Sequence, residues 1–320
     1  MTPQLLRSAL KMAGPFLGLL LVLGLFRLVY GEEFTGPFFS ARNLQTVLVQ
    51  TVIVAIGAIG MTFVVAAGGI DLSVGSSLAL SSVVTAKLLK AGYDPWWALG
   101  GGVISGGVVG LANGMLTVGL RITPFITTLG MMQIARGVAK AVAGEQKVDA
   151  PENWLPLLVR KDPEPAYLLV APAVWIAAIL AVFMTFLFRR GVLGLRATAI
   201  GSNEATARLC GVPVGRTKIL VYLVSGLCTG LAGVLYFSRV QVGDPTAAVG
   251  EELPVIAAVV IGGASLAGGT GSIGGALLGA LVMAVLKNGC NLVELPNYVQ
   301  EIVVGAVIVA AVAVDRIRKA

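Results

Sequence analysis

Long apolar runs, each near the length needed to cross a lipid bilayer, follow one another through almost the whole chain. Hydrophobic residues make up 57% of the 320 positions and charged residues only 12%, whereas ordinary soluble domains carry about 25% charged residues. A soluble core of this size could not hide so much apolar surface, so the solvent is expected to be a bilayer. The pattern therefore predicts an all-α membrane protein.

Ten segments are read as membrane-spanning helices when about 20 residues are needed to cross roughly 30 Å of hydrocarbon. The eighth and ninth are short. The predicted helices lie near 12–30, 45–67, 73–91, 96–120, 123–143, 167–188, 218–238, 254–268, 272–288 and 298–314. Together they predict a polytopic bundle of about ten helices that forms a single domain over residues 1–320.

The basic residues lie at the ends of the apolar runs, so the net charge of +7 indicates membrane topology rather than nucleic acid binding. With the N-terminus inside, most of them gather on the cytoplasmic side: Arg7, Lys11, Arg121, Arg189, Arg190, Arg196, Arg208, Arg216, Lys218, Arg316, Arg318 and Lys319. The other side holds Lys147, Arg160 and Lys161 among most of the acids. We therefore expect both termini in the cytoplasm and an acidic outer face suited to a docking partner.

The residue types that most catalytic and metal sites need are scarce. There is no histidine, and Cys210, Cys228 and Cys290 are scattered without a C-x-x-C motif. These counts argue against a disulfide framework, a His/Cys metal site and a Ser-His-Asp triad. We therefore predict no catalytic residue, metal or bound cofactor, and a membrane enzyme is the least supported class of function.

Two glycine-rich stretches look like nucleotide-binding motifs but lack their context. Residues 269–274 match G-x-G-x-x-G, yet they link two predicted membrane helices instead of following a strand. Residues 211–217 resemble a P-loop with the wrong spacing and with arginine in place of lysine. Since no G-K-[ST] occurs anywhere in the sequence, ATP hydrolysis by the usual P-loop route is excluded.

A glycine-rich junction between the second and third predicted helices reads GGIDLSVGS from Gly68 onward. Gly68 and Gly69 allow the backbone to leave the helix, and Asp71 or Ser73 can accept hydrogen bonds from the amides that open the next one. A helix break at membrane depth is tolerated only where protein or a water-filled cavity covers it. Asp71 is therefore either a helix cap or part of a polar pathway. A weaker copy at 262–269, without the acid, indicates an internal repeat.

Few ionisable groups fall inside the predicted helices. Arg136 lies most deeply, in the fifth, and an intramembrane charge is a functional hypothesis by default. A structural partner, such as a carbonyl at a helix end, competes with substrate as its contact. Since Asp71 is the only acid near a helix break, an ion-coupled secondary transporter is weakly supported.

The loop at 189–218 is the main polar interruption, with six cations and the single acid Glu204. Ser202 or Asn203 is a good N-cap, Glu204 falls in the first turn where the helix dipole favours an anion, and Arg208 follows at i+4. The loop therefore contains a predicted short helix.

That helix is expected to span about 202–210, close to eight residues and roughly 12 Å at 1.5 Å per residue. Gly211 supplies a C-terminal stop and Pro213 prevents continuation. Ala205 and Leu209 share one face, a small apolar surface ringed by charge that could fit a groove on a soluble subunit. The alternative is an ordered loop that only joins two membrane helices.

Three stretches resemble the ribose/xylose/galactose-type permeases of bacterial ABC importers. They are GGIDLSVGS from Gly68, ITPFITTLG from Ile122 with Ala135-Arg136-Gly137 after it, and AIGSNEATARLCGVPVGRTKILVYLVSGLCTGLAG from Ala199. The resemblance runs from the second predicted helix to the tenth. The loop helix is similar to the EAA-type coupling helix of that family, with Glu204-Ala205-Thr206 where Glu-Ala-Ala is usual.

The resemblance implies a type II, vitamin B12 importer-like ABC permease in the bacterial inner membrane. Such a subunit pairs with a second permease copy, and the pathway for a monosaccharide forms between them. Two cytoplasmic ATPase subunits, which hold ATP and Mg, would grip the coupling helices, and a periplasmic sugar-binding protein would deliver the substrate.

Two groups of residues acquire roles from this resemblance together with the patterns above. Those assigned to ATPase coupling are Gly201, Ser202, Asn203, Glu204, Ala205, Arg208, Leu209 and Gly211. Those assigned to the pathway or the helix break are Gly68, Gly69, Asp71, Ser73 and Arg136. A permease for branched-chain amino acids or nucleosides in the same superfamily is the nearest alternative, although branched-chain permeases carry an Asn/His-containing segment where this chain has Gly-Ile-Asp-Leu-Ser.

Overall fold

The computed structural model describes residues 3–161 and 169–319, and nearly all of them are helical. The α-helices are α1 Pro3–Phe38, α2 Ala41–Ala66, α3 Val74–Lys90, α4 Pro95–Gly119, α5 Pro124–Ala143, α6 Pro172–Arg189, α7 Val192–Ser202, α8 Glu204–Leu209, α9 Val214–Val240, α10 Glu252–Ile261, α11 Ile273–Leu292 and α12 Asn297–Lys319. A 3₁₀ turn covers Leu155–Val159, and the short strands β1 Val148–Asp149 and β2 Val242–Gly243 pair antiparallel.

The helices α1–α6 and α9–α12 each overlap one of the ten predicted apolar segments. The ninth segment was predicted to be short, but α11 has 20 residues and is long enough to cross a membrane. Proline opens α4, α5 and α6, a position where its missing N–H would have had no partner inside the helix. The sixth segment was predicted to start at residue 167, which lies outside the described residues, and α6 begins at Pro172. Gly31, at φ 57° and ψ −129°, interrupts α1 before its last residues.

Within the described chain, five helices are long and apolar enough to cross a membrane by themselves: α2, α4, α6, α9 and α11. α10 and residues 297–310 of α12 are apolar but shorter. The most apolar stretch of α2 is 83% buried and that of α6 is 22% buried. α2 is therefore the centre of the bundle and α6 lies at its periphery.

A glycine seam joins α4 to α9. Gly106 and Gly110 of α4 face Gly226 and Gly230 of α9, and a Cβ placed on Gly106 would lie 2.5 Å from the Gly226 oxygen and the Gly230 Cα. Small residues at such a crossing allow the two backbones to touch, as the predicted stripe requires. The stripe on α11 does the same against α10, where Gly279 meets the carbonyl of Ala258.

The predicted helix at 254–268 is too long, because α10 ends at Ile261. Gly263 adopts φ +90°, and its amide donates to the Val260 oxygen at 2.9 Å. Gly68 ends α2 in the same way, with φ +79° and a 2.9 Å bond from its amide to the Val65 oxygen. Both breaks thus use a left-handed glycine cap, as the repeat in the sequence indicated.

Candidate functional site

The loop at 189–218 contains two helices instead of the one that was predicted. α7 continues through Gly201 to Ser202, so these two residues end a preceding helix and do not open the loop helix. Asn203 is extended at φ −162° and ψ 105°, and its side chain accepts a 2.9 Å bond from the amide of Thr206. Asn203, rather than Ser202, is therefore the N-cap. The prediction missed α7 because its glycines and cations look like an irregular arm, whereas tertiary packing buries one of its faces.

The loop helix α8 is six residues long, Glu204–Leu209, shorter than the predicted eight. Its buried residue Ala207 packs with Ile200 and Val214 in a small apolar cluster. Gly211, at φ +81°, ends the helix as predicted, and its amide donates a 3.1 Å hydrogen bond to the Arg208 oxygen.

The outer face of α8 consists of exposed residues, including Ala205 and Leu209. The side chain of Leu209 is 89% exposed, the highest value among the large hydrophobic residues of the described chain. Since Leu209 buries almost none of its surface, it contributes little to folding. Arg208, which is also exposed, lies beside it on the same helix.

Two cations hold the carboxylate of Glu204. Arg208 Nη2 lies 3.1 Å from Oε1 and Lys218 Nζ lies 2.7 Å from Oε2. The hydrogen bond from Lys218, followed by its charge and the bond from Arg208, lowers the pKa of Glu204 from its ordinary value against partial desolvation. The predicted i+4 pair is confirmed, but Lys218 was missed because it lies on the next helix, 14 residues away.

The end of α7 lies against the end of α2 and the α10–α11 loop, mainly through backbone atoms. A Cβ on Gly201 would meet the Ala66 carbonyl and lie 2.5 Å from the Gly269 nitrogen, and one on Gly268 would lie 2.9 Å from the Cα atoms of Gly201 and Gly68. The amide of Gly269 donates to the Ala66 oxygen at 3.0 Å. We call Gly68, Gly201, Gly268 and Gly269 the glycine junction.

Asp71 is 2% exposed and lies in the turn just before α3. Its Oδ1 accepts bonds from the Ser73 amide at 2.9 Å, the Ser73 hydroxyl at 2.6 Å and the Asn113 amide group at 3.3 Å. Asp71 therefore orders the turn that leads into α3, since the amide it bonds belongs to Ser73, the N-cap residue, and not to the helix itself. The side chain of Ser73 makes no cap bond, so the prediction that Ser73 could cap the helix is wrong.

Polar groups from three further helices surround this turn. Asn113 of α4 also bonds the Ser73 hydroxyl at 2.8 Å, Thr128 of α5 donates to the Ile70 oxygen at 3.0 Å, and the hydroxyl of Tyr222 on α9 would lie 2.6 Å from a Cβ on Gly69. Sequence reasoning missed Asn113 and Tyr222. A lone asparagine inside a glycine-rich apolar helix was the available signal.

Arg136 lies apart from these residues, where α5 faces the α9–α10 loop. Its Nη1 donates to the carbonyl oxygens of Pro245 at 2.9 Å and Ala247 at 2.5 Å. A carbonyl partner was predicted, but the carbonyls belong to a loop and not to a helix end. The predicted site residues thus form two groups, one at the 189–218 loop and the helix breaks, and one at Arg136. Across 3–161 and 169–319, no three or more His, Cys, Asp or Glu side chains are grouped so that they could hold a metal.

A bundle of apolar helices with capped breaks at its centre, and a short charged helix exposed at one end, defines a membrane permease. The chain belongs to the family described as branched-chain amino acid transport system, permease component, whose model matches residues 43–312. No solved structure matches this chain.

Relatives with more specific names are sugar permeases. The chain is 38% identical to the L-arabinose ABC transporter permease protein of Azospirillum brasilense, over 88% of this chain and 82% of the relative. It is 40% identical to the ribose import permease protein of Escherichia coli K12, over 87% of each. It is 35% identical to the D-allose transport system permease protein of the same strain, over 94% and 91%. The predicted class, a permease subunit and not an enzyme, is confirmed.

Proposed function

We propose that this chain is the transmembrane permease subunit of an ABC importer that carries a monosaccharide across the bacterial inner membrane. The observation that carries the proposal is the similarity, over most of each chain, to permeases named for L-arabinose, ribose and D-allose. The family description names branched-chain amino acids, but the relatives that match this sequence at 35–40% identity are named for sugars.

In this proposal the chain forms one domain over residues 1–320 and crosses the membrane ten times, through α1–α6 and α9–α12, in the type II arrangement. α3 and α10 are short because each adjoins a helix break. Both termini lie in the cytoplasm, since the basic residues of the short loops then gather inside. α7 and α8 lie on that side.

The proposed partners supply what this chain lacks. The sequence has no G-K-[ST] motif, so ATP and Mg belong to separate ATPase subunits and this chain binds no cofactor of its own. Each ATPase receives α8 in a groove, with Leu209 as the anchor and Glu204, held by two cations, fixing the helix to α9. A second permease copy completes the pathway, and a periplasmic sugar-binding protein docks on the outer face.

Coupling works through the glycine junction. ATPase closure displaces α8, α7 moves with it, and Gly201 pushes on the two breaks that it touches. The breaks are where α2 and α10 end, so the push changes the tilt of the helices that border the pathway, as a rigid-body change between outward and inward openings. Gly68, Gly69, Asp71 and Ser73 serve as the hinge in this scheme, and Arg136 lies on the pathway beyond it.

ATP-driven uptake in proteoliposomes tests the proposal. The full chain, with its ATPase subunits and binding protein, should take up at least one of D-ribose, L-arabinose and D-allose, and excess L-leucine should not compete. Uptake of leucine alone would refute the sugar assignment.

Leu209→Asp tests the coupling surface in the same assay. Uptake should fall about tenfold or more, since loss of an interface anchor commonly costs at least 1.4 kcal/mol. Leu169→Asp is the matched control, because Leu169 is 75% exposed at the opposite end of α6. Equal uptake in both variants would remove α8 from the ATPase interface.

A further inference from the structure

The α9–α10 loop enters the bundle instead of staying at its end. Gly243 packs on Ala86, near the end of α3, where a Cβ would lie 2.6 Å from the alanine side chain. Five residues later, the Ala248 oxygen lies 2.5 Å from the Cβ position of Gly75, in the first turn of the same helix. Eleven helical residues separate the two contacts, roughly 16 Å at 1.5 Å per residue. Irregular backbone at such depth needs a covering of protein or a water-filled cavity.

Three side chains fix the path of this loop, which we call the 244–251 loop. Arg136 bonds its carbonyls at Pro245 and Ala247, as described above. Asp244 accepts bonds from the amide and hydroxyl of Thr246 at 2.8 and 2.6 Å, and Lys147 Nζ lies 3.3 Å from its other oxygen. The loop is therefore a built structure and not a slack connection.

A cavity of about 260 Å³ lies between this loop, α3 and α5. That volume approaches the lower end of small-molecule sites, roughly 300 Å³. The residues around it are Ser76, Met132, Gln133, Arg136, Lys140, Thr246, Val249 and Glu252. Val249 is 75% exposed, and Gln133 and Lys140 are exposed as well, so the cavity opens on the surface of this chain.

The polar lining has unused bonding capacity. Ser76 is 1% exposed, and its hydroxyl has no hydrogen-bond partner although it lines the cavity. A buried polar atom without a partner is costly unless a ligand or water supplies the bond. Glu252, whose carboxylate lies against Gly75, adds an acceptor to the lining, and Gln133 and Lys140 of α5 add donors.

We propose that this cavity is a binding site for one neutral monosaccharide in its ring form. Each hydroxyl of a polyol both donates and accepts hydrogen bonds, so its site needs acceptors and donors. Glu252 supplies an acceptor, Lys140 a donor and Ser76 both, while Met132 and Val249 cover the C–H groups of the sugar.

An anion would meet the carboxylate of Glu252 as well as the cations Arg136 and Lys140, whereas a neutral polyol can bond to groups of either charge. A lipid tail would leave Ser76 unbonded. The inference rests on the proposed sugar import and places the sugar on this chain.

Cysteine labelling measures occupancy directly. Val249→Cys, in a background with Cys210→Ser, Cys228→Ala and Cys290→Ala, puts one thiol at the rim of the cavity in the assembled transporter. A membrane-impermeant maleimide should react about tenfold more slowly when D-ribose, L-arabinose or D-allose is present at ten times its dissociation constant. L-leucine should leave the rate unchanged.

Two lining variants and two matched controls locate the binding. Ser76→Ala and Glu252→Gln should each raise the sugar concentration for half-protection about fivefold to tenfold. Ser82→Ala should not, since Ser82 is an equally buried serine of α3 without a partner but away from the cavity. Glu251→Gln should not either, because Glu251 pairs with Lys287.

The outcomes separate this inference from the proposed function. If the transporter with Val249→Cys imports sugar but no sugar slows labelling, the cavity is not the site and the function stands. If leucine protects the thiol in place of sugars, the ligand class is wrong. Equal effects of Ser76→Ala and Ser82→Ala would also overturn the site. If the unmodified transporter imports none of the three sugars, the proposed function itself fails.

Discussion

At the scale of single residues, the 189–218 loop contains both side chains that hold the fold and side chains that contribute little to it. Ala207 is buried in the small cluster under α8, while Leu209, two residues on, is 89% exposed. Glu204 belongs to the first group, because it ties α8 to α9 through Lys218. Its bonds can therefore be tested by stability alone.

The stability provided by Glu204 should depend on pH. Its folded pKa is depressed, so the contribution is present above the unfolded value of about 4.3 and is lost as pH falls through the folded pKa. Glu204→Gln should lower the free energy of unfolding by about 0.5–1 kcal/mol at pH 7, and the difference from the unmodified chain should vanish in stronger acid. Thermal unfolding in detergent measures it, with the exposed Glu152→Gln as control. A difference that persists in strong acid would contradict the assignment.

Residues of the 189–218 loop and the helix breaks could be predicted from sequence because their signals are local. The cavity residues could not, because long-range contacts bring them together. A cap, an i+4 pair and a left-handed glycine are all set within a few residues, so Asn203, Glu204 and Gly211 could be placed from sequence. Ser76 and Glu252 could not, because only the path of the 244–251 loop brings α3 and α10 to one cavity. Glu252 looked like one more acid of an outer loop.

At the scale of helices, glycine determines which elements touch. On α4, Gly102, Gly106 and Gly110 meet other helices, whereas Gly100 of the same helix has nothing within 4 Å of its Cβ position. A spacing of four residues predicted the first set. The positions of the long helices were also predictable from the apolar runs, but several ends were not. The end of α10 was missed because its cap, Gly262-Gly263, resembles the glycine-rich stretch that follows.

A pair of substitutions on α4 should separate packing from helix propensity. Gly110→Ala should lower the free energy of unfolding by about 1–3 kcal/mol, because its methyl group would meet the Tyr222 carbonyl and lie 2.9 Å from the Gly226 Cα. Gly100→Ala should be neutral or stabilising by up to about 1 kcal/mol. Thermal unfolding in detergent compares them. Similar losses in both would show that the seam is not tight.

At the scale of the whole molecule, contacts link the cavity beside α3 to the 189–218 loop one after another. The cavity borders α3 near Ser76, and Asp71 bonds the amide of Ser73 just before that helix. The preceding break contains Gly68, which lies against Gly201 at the end of α7. A single connected path therefore runs from the proposed sugar site to the proposed ATPase contact.

The orientation of the chain in the membrane can be measured by labelling a cysteine that is already present. Cys210 is exposed beside α8, while Cys228 and Cys290 are buried. If the loop is cytoplasmic, a membrane-impermeant maleimide should label the chain in inside-out vesicles and not in intact cells, and Cys210→Ser should abolish that labelling. Labelling of Cys210 from outside would invert the proposed topology.

Gly201→Ala should uncouple ATP hydrolysis from uptake. Its methyl group would collide with the Ala66 carbonyl and the Gly269 nitrogen, so α7 must move away from both breaks. We expect sugar imported per ATP hydrolysed to fall several-fold. Gly110→Ala is the control, since it adds a comparable clash away from the junction and should lose stability but keep the ratio. An equal fall in both would assign the effect to general destabilisation.

The glycine junction also has a mechanical consequence. A contact made by side chains is compliant, because rotatable bonds absorb part of any displacement before it passes on. Gly68, Gly201, Gly268 and Gly269 have no side chains, and most of the contacts among them and Ala66 are made by main-chain atoms, with the Ser202 hydroxyl as the exception. Such a contact is stiff, so most of a displacement of α8 would be passed on to the helices at the centre of the bundle. A small movement of α8 would then be enough to move the ends of the central helices.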